Sequence, residues 1–298
     1  MSVSKRLSKV FHTSSEIPID HSSRIVLMSD CHRGDGSESD NFSNNQMLFF
    51  SALSYYYEQN YTYIELGDGD ELWENRKYDQ IISVHSDAFW LISKFYQQDR
   101  FYMLYGNHDM IKKNLKFCND TCQTYFDESK NQLMPLFPEI TVLEGLILVY
   151  TNTGNKIFLT HGHQGELLND KIWKVGRFLV RYLWRPLELI GVKNPITARN
   201  NYSKIDNPAE RKLINWVKAE NQMLIAGHTH HPVFPKAGAA PYFNDGSCVH
   251  PRCITAIEIS NGTISLVKWS VTSKEDRTLY VNRILLAGPV KLIDYFHE

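Results

Sequence analysis

The chain has 298 residues, with 32 Lys and Arg against 33 Asp and Glu, which gives a formal net charge of -1. Hydrophobic residues make up 43% of it and aromatic residues 12%, so it can bury a sizeable core. That composition excludes a disordered chain, a fibrous protein and a disulfide-stabilised mini-protein. A net charge this small also argues against a general coat for nucleic acid, because such domains are strongly basic.

Targeting signals and cysteines indicate the compartment. The N-terminal residues include Lys and Arg but no apolar stretch as long as a signal peptide requires. No run approaches the roughly 18 uncharged apolar residues of a membrane span. The five cysteines show no CxxC pair, and an odd number without a tight framework is typical of reduced thiols. We therefore expect a cytoplasmic protein.

Strands and helices are predicted to alternate along the chain. Short runs rich in Val, Ile, Leu and aromatic residues predict strands. They lie at Arg24–Ser29, Thr62–Leu66, Phe101–Tyr105, Leu146–Tyr150, Lys156–Leu159 and Met223–Ala226. Helices are predicted at Asn45–Gln59, Gln80–Gln98, Glu166–Ile190 and Pro208–Glu220. This alternation is typical of an α/β fold. Without an internal repeat or a long Gly/Ser linker, we expect one domain over residues 1–298.

Two local signals sharpen these boundaries. Asn207 is a good N-cap, with Pro208 at the first helical position. Near the C-terminus, an Asn-Gly pair joins the predicted strands Thr255–Ile259 and Thr263–Trp269, and Asn-Gly between alternating strands predicts a hairpin. We expect this late run of strands to form a second sheet.

Five of the predicted strands run directly into clusters of polar residues. These clusters are Asp30-Cys31-His32, Gly67-Asp68-Gly69-Asp70, Gly106-Asn107-His108-Asp109, Thr160-His161-Gly162-His163 and Gly227-His228-Thr229-His230. In α/β sheets, ligand sites form outside the carboxyl ends of strands, where loops converge. The clusters are therefore expected to share one site, although they span 200 residues of sequence.

The side chains in these clusters are typical ligands of divalent ions. Residues two apart in an extended segment point the same way, so Asp30 and His32 can chelate one ion together. His228 and His230 can do the same, or can be split between neighbouring ions. Carboxylate, imidazole and amide oxygen suit Mn, Fe, Zn or Co. The candidate ligands are Asp30, His32, Asp68, Asn107, His161, His228 and His230.

Seven ligands are too many for one catalytic ion and fit two ions that share a carboxylate. Two ions about 3.5–4 Å apart lower the pKa of a bridging water and clamp the attacking and leaving oxygens of phosphoryl transfer. Any one of these motifs alone is more often an ordinary turn than a metal site. It is the ordered set of five, each at a strand end, that indicates a two-metal centre.

The ordered motifs DCH, GDGDELWEN, GNHD, THGH and GHTH resemble those of the calcineurin-like metallophosphoesterase superfamily. The resemblance implies two packed β-sheets flanked by helices, a four-layer α-β-β-α sandwich, with manganese as the favoured ion. It implies phosphoester hydrolysis by a metal-bridging hydroxide. It also implies that one ion is held by Asp30, His32, Asp68 and His230, and the other by Asp68, Asn107, His161 and His228.

The same resemblance implies roles for residues beside the ions. His108 would act on the substrate, either stabilising the phosphoryl oxygens or protonating the leaving group, and Asp109 would orient it. Asp70, Glu71 and Trp73 would orient other groups of the site. The alternative for these three is an acidic first turn of a helix.

Within the superfamily, the chain is similar to the UDP-2,3-diacylglucosamine pyrophosphatase-like branch. The similarity lies in GDGDELWEN at 67–75, HGHQGE at 161–166, GHTHHP at 227–232, FNDGSCVHPRCITAIEI at 243–259 and a basic insert between the last two metal motifs. The enzymes of lipid A synthesis have Arg where this chain has His108. This departure argues against the lipid A precursor itself as the substrate.

The basic insert is predicted to be helical over residues 166–220. Its segment from Lys171 to Lys218 contains 11 Lys and Arg against three acidic residues, so the near-neutral net charge is a cancellation. Lys174 and three arginines fall on one stripe of a helix. This pattern suits a lid for an anionic amphiphile, a peripheral contact with the inner face of the membrane, or a solvated basic face packed on the domain. The candidate substrate-binding arginines are Arg177, Arg181 and Arg185.

Two further residues are candidates for substrate binding. Arg33 could bind a phosphate bidentately, with a surface ion pair as the alternative, and Asn75 lies near the predicted ions. The leading function is hydrolysis of a phosphomonoester or phosphodiester, including a nucleotide-diphospho-lipid or another anionic amphiphile. A protein Ser/Thr phosphatase or a nucleotide phosphodiesterase could use the same site. A metal-binding scaffold is disfavoured because all seven ligands and His108 are kept. The sequence indicates no oligomeric state.

Overall fold

The computed structural model describes residues 2–128, 130–184, 186 and 207–296. The described helices are α1 Val3–Thr13, α2 Gln46–Glu58, α3 Tyr78–Val84, α4 Ser86–Tyr96, α5 Leu115–Thr121, α6 Trp173–Leu179 and α7 Pro208–Glu220. The strands are β1 Ser15–Ile19, β2 Arg24–Met28, β3 Thr62–Leu66, β4 Phe101–Leu104, β5 Thr124–Asp127, β6 Gln132–Pro135, β7 Gly145–Tyr150, β8 Asn155–Thr160, β9 Met223–Ala226, β10 Tyr242–Asn244, β11 Cys253–Ser260, β12 Thr263–Ser273 and β13 Leu279–Lys291.

The strands form two large mixed sheets. One has six strands in the order β13-β12-β11-β2-β3-β4, and the other has five in the order β1-β7-β8-β9-β10. Strands β2, β3 and β4 run parallel in the first sheet, as do β8, β9 and β10 in the second. Their carboxyl ends therefore collect at one edge of each sheet. Strands β5 and β6 pair separately as a small antiparallel hairpin.

The two sheets pack face to face, and helices cover their outer faces. Leu27 and Ile64 of the first sheet share a buried cluster with Leu148 and Ile225 of the second. Helices α2 and α4 cover the other face of the first sheet, and α1 and α7 cover the second, where Trp216 is fully buried. The expected sandwich of helix, sheet, sheet and helix is confirmed.

Several predicted boundaries agree with the structure to the residue. Strands β3 and β9 and helix α7 begin and end where the sequence patterns place them. At the start of α7, the Asn207 side chain accepts a hydrogen bond from the amide of Ala209 at 2.9 Å. Pro208 occupies the first turn of this helix, where a missing N–H costs nothing.

The late hairpin is present, but the prediction that it starts a second sheet is wrong. Asn261 and Gly262 join β11 to β12 with φ angles of 51° and 66°, the left-handed values that an Asn-Gly turn supplies. Strand β11 then pairs antiparallel with β2, with Ile257 opposite Leu27. This register places the apolar side chains of β11 against the same core as those of β2. Strands β11 to β13 therefore extend the first sheet.

Two of the long predicted helices are interrupted. The helix predicted over Gln80–Gln98 breaks at His85, whose buried imidazole bonds to Asp40 at 2.9 Å and Gln46 at 3.0 Å. The helix predicted over Glu166–Ile190 is short: α6 lies between π-helical turns at Leu167–Lys171 and Val180–Trp184. Residues 185 and 187–190 lie outside the described part. None of the described helices is both long and apolar enough to cross a membrane.

Candidate metal centre

The five polar clusters meet where the parallel strands end. The amide of Asp30 donates to the Gly67 carbonyl at 3.1 Å and the amide of His32 to the Asp68 carbonyl at 2.9 Å, so the loops after β2 and β3 continue side by side. The amide of Gly227 donates to the His161 carbonyl at 3.0 Å, which joins the loops after β9 and β8. The site is therefore built from both sheets.

Two glycines allow these loops to approach closely. A Cβ atom on Gly106 would lie 2.1 Å from Oδ1 of Asp68, and one on Gly67 would lie 2.6 Å from the backbone nitrogen of Gly106. Gly67 also has a φ of 94°, which other residues rarely adopt. A larger residue at either position would separate the loop after β3 from the loop after β4.

The first group of candidate ligands consists of Asp30, His32 and His230, whose ligand atoms all lie within 4.8 Å of one another. Oδ1 of Asp30 lies 3.0 Å from Nε2 of His230 and 3.7 Å from Nε2 of His32. All three residues are buried. Together with the shared carboxylate of Asp68, they are the predicted ligands of one ion.

The second group consists of Asp68, His161 and His228, again within 4.8 Å. Nδ1 of His161 bonds to the Leu66 carbonyl at 2.8 Å, and this contact turns its Nε2 to 3.1 Å from Oδ2 of Asp68. The same Oδ2 lies 3.8 Å from Nε2 of His32, a member of the first group. Asp68 therefore stands between the two groups, the position that a shared ligand needs.

Each aspartate has one oxygen anchored and the other directed into the centre. Oδ2 of Asp30 accepts hydrogen bonds from the amide of His228 at 2.9 Å and from the Ser29 hydroxyl. Oδ1 of Asp68 accepts from the amide of His108 at 2.7 Å. These bonds fix each carboxylate so that its remaining oxygen can bind a cation.

Several buried polar atoms at this point make no contact of hydrogen-bond geometry among the described residues, although some lie within ion-pair distance of one another. They are Oδ1 of Asp30, Nε2 of His32, Oδ1 of Asn107 and Nε2 of His161. Leaving such an atom unpaired in the interior costs about 1–3 kcal/mol. Carboxylate, imidazole and amide donors converging on one point are the donor set that borderline divalent ions prefer. The residues present therefore fit a two-ion centre.

Backbone strain is concentrated at the same residues. Asp30, His32, Asp68, His228 and His230 all have left-handed φ angles, between 48° and 69°. Such conformations cost of the order of 1–3 kcal/mol each and persist where the surroundings impose them, often at functional sites. The fold therefore holds five of the seven candidate ligands in conformations that an unconstrained chain avoids.

The charges of the site attract cations. Burial alone would raise the pKa of Asp30, but the imidazoles of His230 and His161 lower it well below its usual range. Burial would lower the pKa of His161, but the carboxylates of Asp68 and Asp30 raise it to about 9. The carboxylates are therefore ionised at neutral pH and hold a proton on His161, which a bound metal ion would displace.

Beside this centre, Glu71 contacts two imidazoles at once. Its carboxylate lies 2.9 Å from Nδ1 of His32 and 2.7 Å from Nδ1 of His108. Burial would raise the pKa of Glu71, but the charge and hydrogen bond of His108, together with His32, lower it to about 2. Trp73 stacks on the His108 ring, with centroids 4.5 Å apart. Glu71 therefore holds the His108 ring at its Nδ1 edge, and Trp73 holds it by its face.

The expectation that Asp109 orients His108 is wrong. Oδ1 of Asp109 accepts from the amide of Gly106 at 2.7 Å, and Oδ2 accepts from the amide of Gly69 at 3.2 Å and contacts Nζ of Lys112 at 3.0 Å. Its carboxylate turns back toward the backbone of the two loops. Asp109 therefore holds the loops that present Asp68 and Asn107, and Glu71 orients His108.

The expectation that Arg33 binds a phosphate is also wrong, and so is its alternative, a surface ion pair. Arg33 is fully buried. Its guanidinium lies 2.7 Å from Oδ1 of Asp70 and 2.8 Å from Oε2 of Glu65. Lys112, also buried, contacts the other oxygen of Asp70. The two cations neutralise carboxylates beneath the site and are not presented to a substrate.

Two other predicted substrate-binding arginines, both in the insert, contact different groups. Arg181 donates to the carbonyls of Trp73 at 2.8 Å, Leu72 at 2.8 Å and Asn75 at 3.1 Å, so it ties the insert to the loop beside the centre. Arg181 is therefore a residue that holds this loop and not the predicted substrate ligand, because these three hydrogen bonds direct its guanidinium to backbone oxygens. The Arg177 guanidinium lies over the Trp173 ring, 4.8 Å from its centroid.

Asn75 and Arg185 complete that set. The side-chain amide of Asn75 donates to the Glu71 carbonyl at 3.0 Å, and its buried Oδ1 has no hydrogen-bond partner among the described residues. Asn75 therefore remains a candidate. Arg185 lies outside the described residues.

Sequence reasoning missed several residues that support the ligands. The carboxyl group of Asp245 shares a hydrogen bond with the Ser29 hydroxyl, with 2.7 Å between the two oxygens, and that hydroxyl donates its hydrogen to Asp30. Glu210 on α7 accepts from the Thr229 hydroxyl at 2.8 Å and bonds to His231 at 3.1 Å, so it steadies the loop after β9. The acidic type of Glu210, just inside a helix, indicated only a good helix start.

Comparison with known proteins gives distant structural likenesses. The chain is similar to vacuolar protein sorting 29 from Cryptosporidium parvum at 14% identity, covering 89% of this chain and 98% of that one, with a TM-score of 0.37. It is similar to a Staphylococcus aureus protein assigned as a 5′-nucleotidase, in complex with alpha-ketoglutarate, at 14% identity, covering 88% of this chain and 53% of that one, with a TM-score of 0.36. No curated protein matches the chain.

The family comparison is more direct. The profile of the calcineurin-like phosphoesterase family matches residues 23–232, a span that includes all seven candidate ligands and His108. Motif order, two packed sheets and the convergent donor set agree with that match. The chain therefore belongs to the calcineurin-like phosphoesterase family and is a metal-dependent phosphoester hydrolase.

Proposed function

We propose that the chain hydrolyses the phosphoester of an anionic amphiphile at a centre of two divalent ions held by Asp30, His32, Asp68, Asn107, His161, His228 and His230. The proposal rests on one observation. Buried oxygen and imidazole nitrogen atoms that could bind a metal, and that make no hydrogen bond, come together from the ends of strands in both sheets. Mn²⁺ is the favoured ion. Ions bound there would activate the attacking water and offset the charge of the phosphoryl oxygens.

His108, oriented by Glu71, then acts on the leaving group or on a phosphoryl oxygen. Glu71 accepts the Nδ1 hydrogen of His108, which leaves Nε2 of that ring to face the substrate. About 17% of the His108 side chain is exposed, so the ring reaches the cleft. In that position it donates a proton to the departing oxygen or a hydrogen bond to a phosphoryl oxygen, and the Trp73 face prevents it from swinging away.

The insert supports an amphiphilic substrate. Eight large apolar side chains within residues 167–183 are 40–63% exposed: Leu167, Leu168, Ile172, Val175, Phe178, Leu179, Tyr182 and Leu183. Lys171, Lys174 and Arg177 lie among them. Clustered exposed apolar side chains mark sites of lipid or protein contact, and adjacent cations favour an anionic partner. A peripheral contact with a membrane surface fits the same surface.

The insert also touches the wall of the candidate centre. A Cβ atom on Gly176 of α6 would lie 3.1 Å from the Trp73 ring, and Trp73 stacks on His108. Acyl chains on the insert would thus lie beside a phosphate at the ions. The motif similarity to the UDP-2,3-diacylglucosamine pyrophosphatase-like branch supports this substrate class.

The test compares a lipid with a soluble ester on the manganese-loaded chain. We expect lysophosphatidic acid in detergent to be hydrolysed with a kcat/KM at least about tenfold above that of glycerol 3-phosphate, because burial of acyl groups adds binding energy. The double variant Val175→Ser with Phe178→Ser should reduce this ratio. Met47→Ser, 70% exposed on α2, is the matched control and should keep it.

Three results would count against the proposal. Equal kcat/KM values for the two esters would refute the amphiphile as substrate. A preference for phosphodiesters such as bis-p-nitrophenyl phosphate, or for phosphoserine peptides, would identify a phosphodiesterase or a protein phosphatase instead. Activity that resists chelators would refute the metal mechanism.

A further inference from the structure

A cavity of about 560 Å³ lies next to the candidate metal centre, on the side of the loop after β9. Its lining includes His231, which directly follows the candidate ligand His230, and Pro232 beside it. The other walls come from the loop before β11, with His250 and Arg252, and from Lys268 on β12. Small-molecule sites have volumes of roughly 300–1,000 Å³, so the cavity is large enough for part of a substrate.

The position of Lys268 follows from the sheet register. Lys268 pairs with Thr255 across β12 and β11, so both side chains lie on one face of the sheet. Because β11 runs antiparallel to β2, its first residues lie beyond the carboxyl end of β2, where Asp30 follows. Cavity and candidate centre therefore open at the same edge of the sheet.

The loop that forms one wall is tied to the centre and to α2. The amide of Cys248 donates to the Asp30 carbonyl at 3.3 Å. The side-chain amide of Asn45 donates to the carbonyls of Cys248 and His250, each at 2.8 Å. The wall is therefore fixed in place, which reduces the entropy that ligand binding has to overcome.

The cavity is cationic. Arg252 and Lys268 supply two permanent positive charges, and no Asp or Glu is among the described residues that line it. Arg252 is exposed, so its guanidinium remains accessible from solution. Among the other lining side chains, His231 is bonded to Glu210 and the Thr255 hydroxyl to a backbone amide, so the two cations supply the main contacts for a ligand. Such a lining favours an anion with several acceptor oxygens.

We propose that this cavity, named here the anion pocket, binds a second anionic group of the substrate, a phosphate or a carboxylate, while the scissile phosphoester lies at the metal centre. The inference rests on the proposed hydrolysis. It specifies the substrate further: a molecule with two anionic groups is selected over one with a single phosphate. Arg252 and Lys268 are the residues that make this selection.

The test uses two ligands that differ by one phosphate. AMP and adenosine 3′,5′-bisphosphate compete with p-nitrophenyl phosphate hydrolysis by the full-length, manganese-loaded chain. We expect the bisphosphate to inhibit at least about tenfold more tightly than AMP, since two cations face the added phosphate. The double variant Arg252→Ala with Lys268→Ala should bring the two inhibition constants to within about twofold. The control is Lys274→Ala with Arg277→Ala, on the exposed β12–β13 turn.

Equal inhibition constants in the unmodified chain, or a tenfold preference that survives in the double variant, would overturn the anion pocket. Failure of the proposed hydrolysis is recognised separately, by the absence of p-nitrophenol release from every variant. In that case isothermal titration with adenosine 3′,5′-bisphosphate, with and without manganese, replaces the competition. Binding that the double variant loses and the control keeps supports the pocket, and binding equal in both refutes it.

Discussion

The carboxylate of Glu71 lies 2.7 Å from Nδ1 of His108, and it also lies 2.9 Å from Nδ1 of His32. The two rings meet edge to face, with centroids 4.6 Å apart. One buried carboxylate therefore fixes both a candidate metal ligand and the ring proposed to face the substrate. A shift of Glu71 would displace His32 and His108 together.

Replacing Glu71 tests this coupling. We expect Glu71→Gln to lower kcat by about 10–100-fold, the loss typical of removing such an orienting partner, because an amide cannot stabilise a charged His108. KM should change less than kcat. Steady-state kinetics with p-nitrophenyl phosphate at several pH values measures both, and Glu58→Gln on the exposed end of α2 is the control. Unchanged kcat in Glu71→Gln would show that His108 acts without this partner.

Arg181 distinguishes loop positioning from substrate binding. Its guanidinium bonds to three carbonyls of residues 72–75, and Trp73 in that loop holds His108. We expect Arg181→Ala to reduce kcat several-fold and to lower the free energy of unfolding by about 1–3 kcal/mol through the unpaired carbonyls. Thermal unfolding and steady-state kinetics measure these effects. Arg277→Ala, at an exposed position on the β12–β13 turn, is the matched control.

The kinetic pattern of Arg181→Ala separates the two roles. A raised KM for p-nitrophenyl phosphate at unchanged kcat and unchanged stability would return Arg181 to the substrate-binding residues. Partial rescue by Arg181→Lys is expected, because an ammonium cannot reach three carbonyls in the geometry of a guanidinium.

The buried network of Arg33, Asp70 and Lys112 predicts a pH dependence of stability. Burial alone would raise the pKa of Asp70, but the charges of Arg33 and Lys112 lower it far below its usual range. A carboxyl whose pKa is depressed by folding contributes stability above its unfolded pKa of about 4, and that contribution is lost as the pH falls toward the folded value. The melting temperature should therefore fall steeply below pH 4.

Asp70→Asn provides the comparison. At pH 7 we expect this variant to be less stable by about 3–5 kcal/mol, because two buried cations each lose one of their two carboxylate partners. Between pH 4 and pH 2 its melting temperature should fall less than that of the unmodified chain. Asp120→Asn, at an exposed position, should follow the unmodified chain. Parallel curves for Asp70→Asn and the unmodified chain would refute the assigned cause.

The candidate ligands could be predicted from sequence because each follows a strand whose pattern is local. Asp68 and Asn107 come directly after short buried strands, and parallel strands bring their carboxyl ends together. The partner of His108 could not be predicted in this way. Asp109 is its neighbour in sequence, whereas Glu71 reaches it only because the β3 and β4 loops are packed together.

Parts of the fold that lack a strong local sequence pattern could not be predicted. Strand β1 contains Pro18 and lies at a sheet edge, and β13 contains Gly288 and Pro289, residues that normally end a strand. Neither has the pattern of a typical strand. The pairing of β11 with β2 joins residues more than 200 positions apart, and no local pattern specifies which strand a hairpin joins.

The burial of Arg33 could not be predicted either. A cation is buried only where carboxylates surround it, and here Glu65 and Asp70 come from another strand and its loop.

The metal content of the chain tests the central claim most directly. Elemental analysis of protein loaded with manganese and freed of excess ion should give two ions per chain. Asn107→Ala, which removes a predicted ligand of only one ion, should give about one, and Asp68→Asn should lower both binding and p-nitrophenyl phosphate hydrolysis by at least about tenfold. His12→Ala, at an exposed position outside the centre, should keep two ions. A single ion in the unmodified chain, or full occupancy in Asp68→Asn, would contradict the two-ion centre.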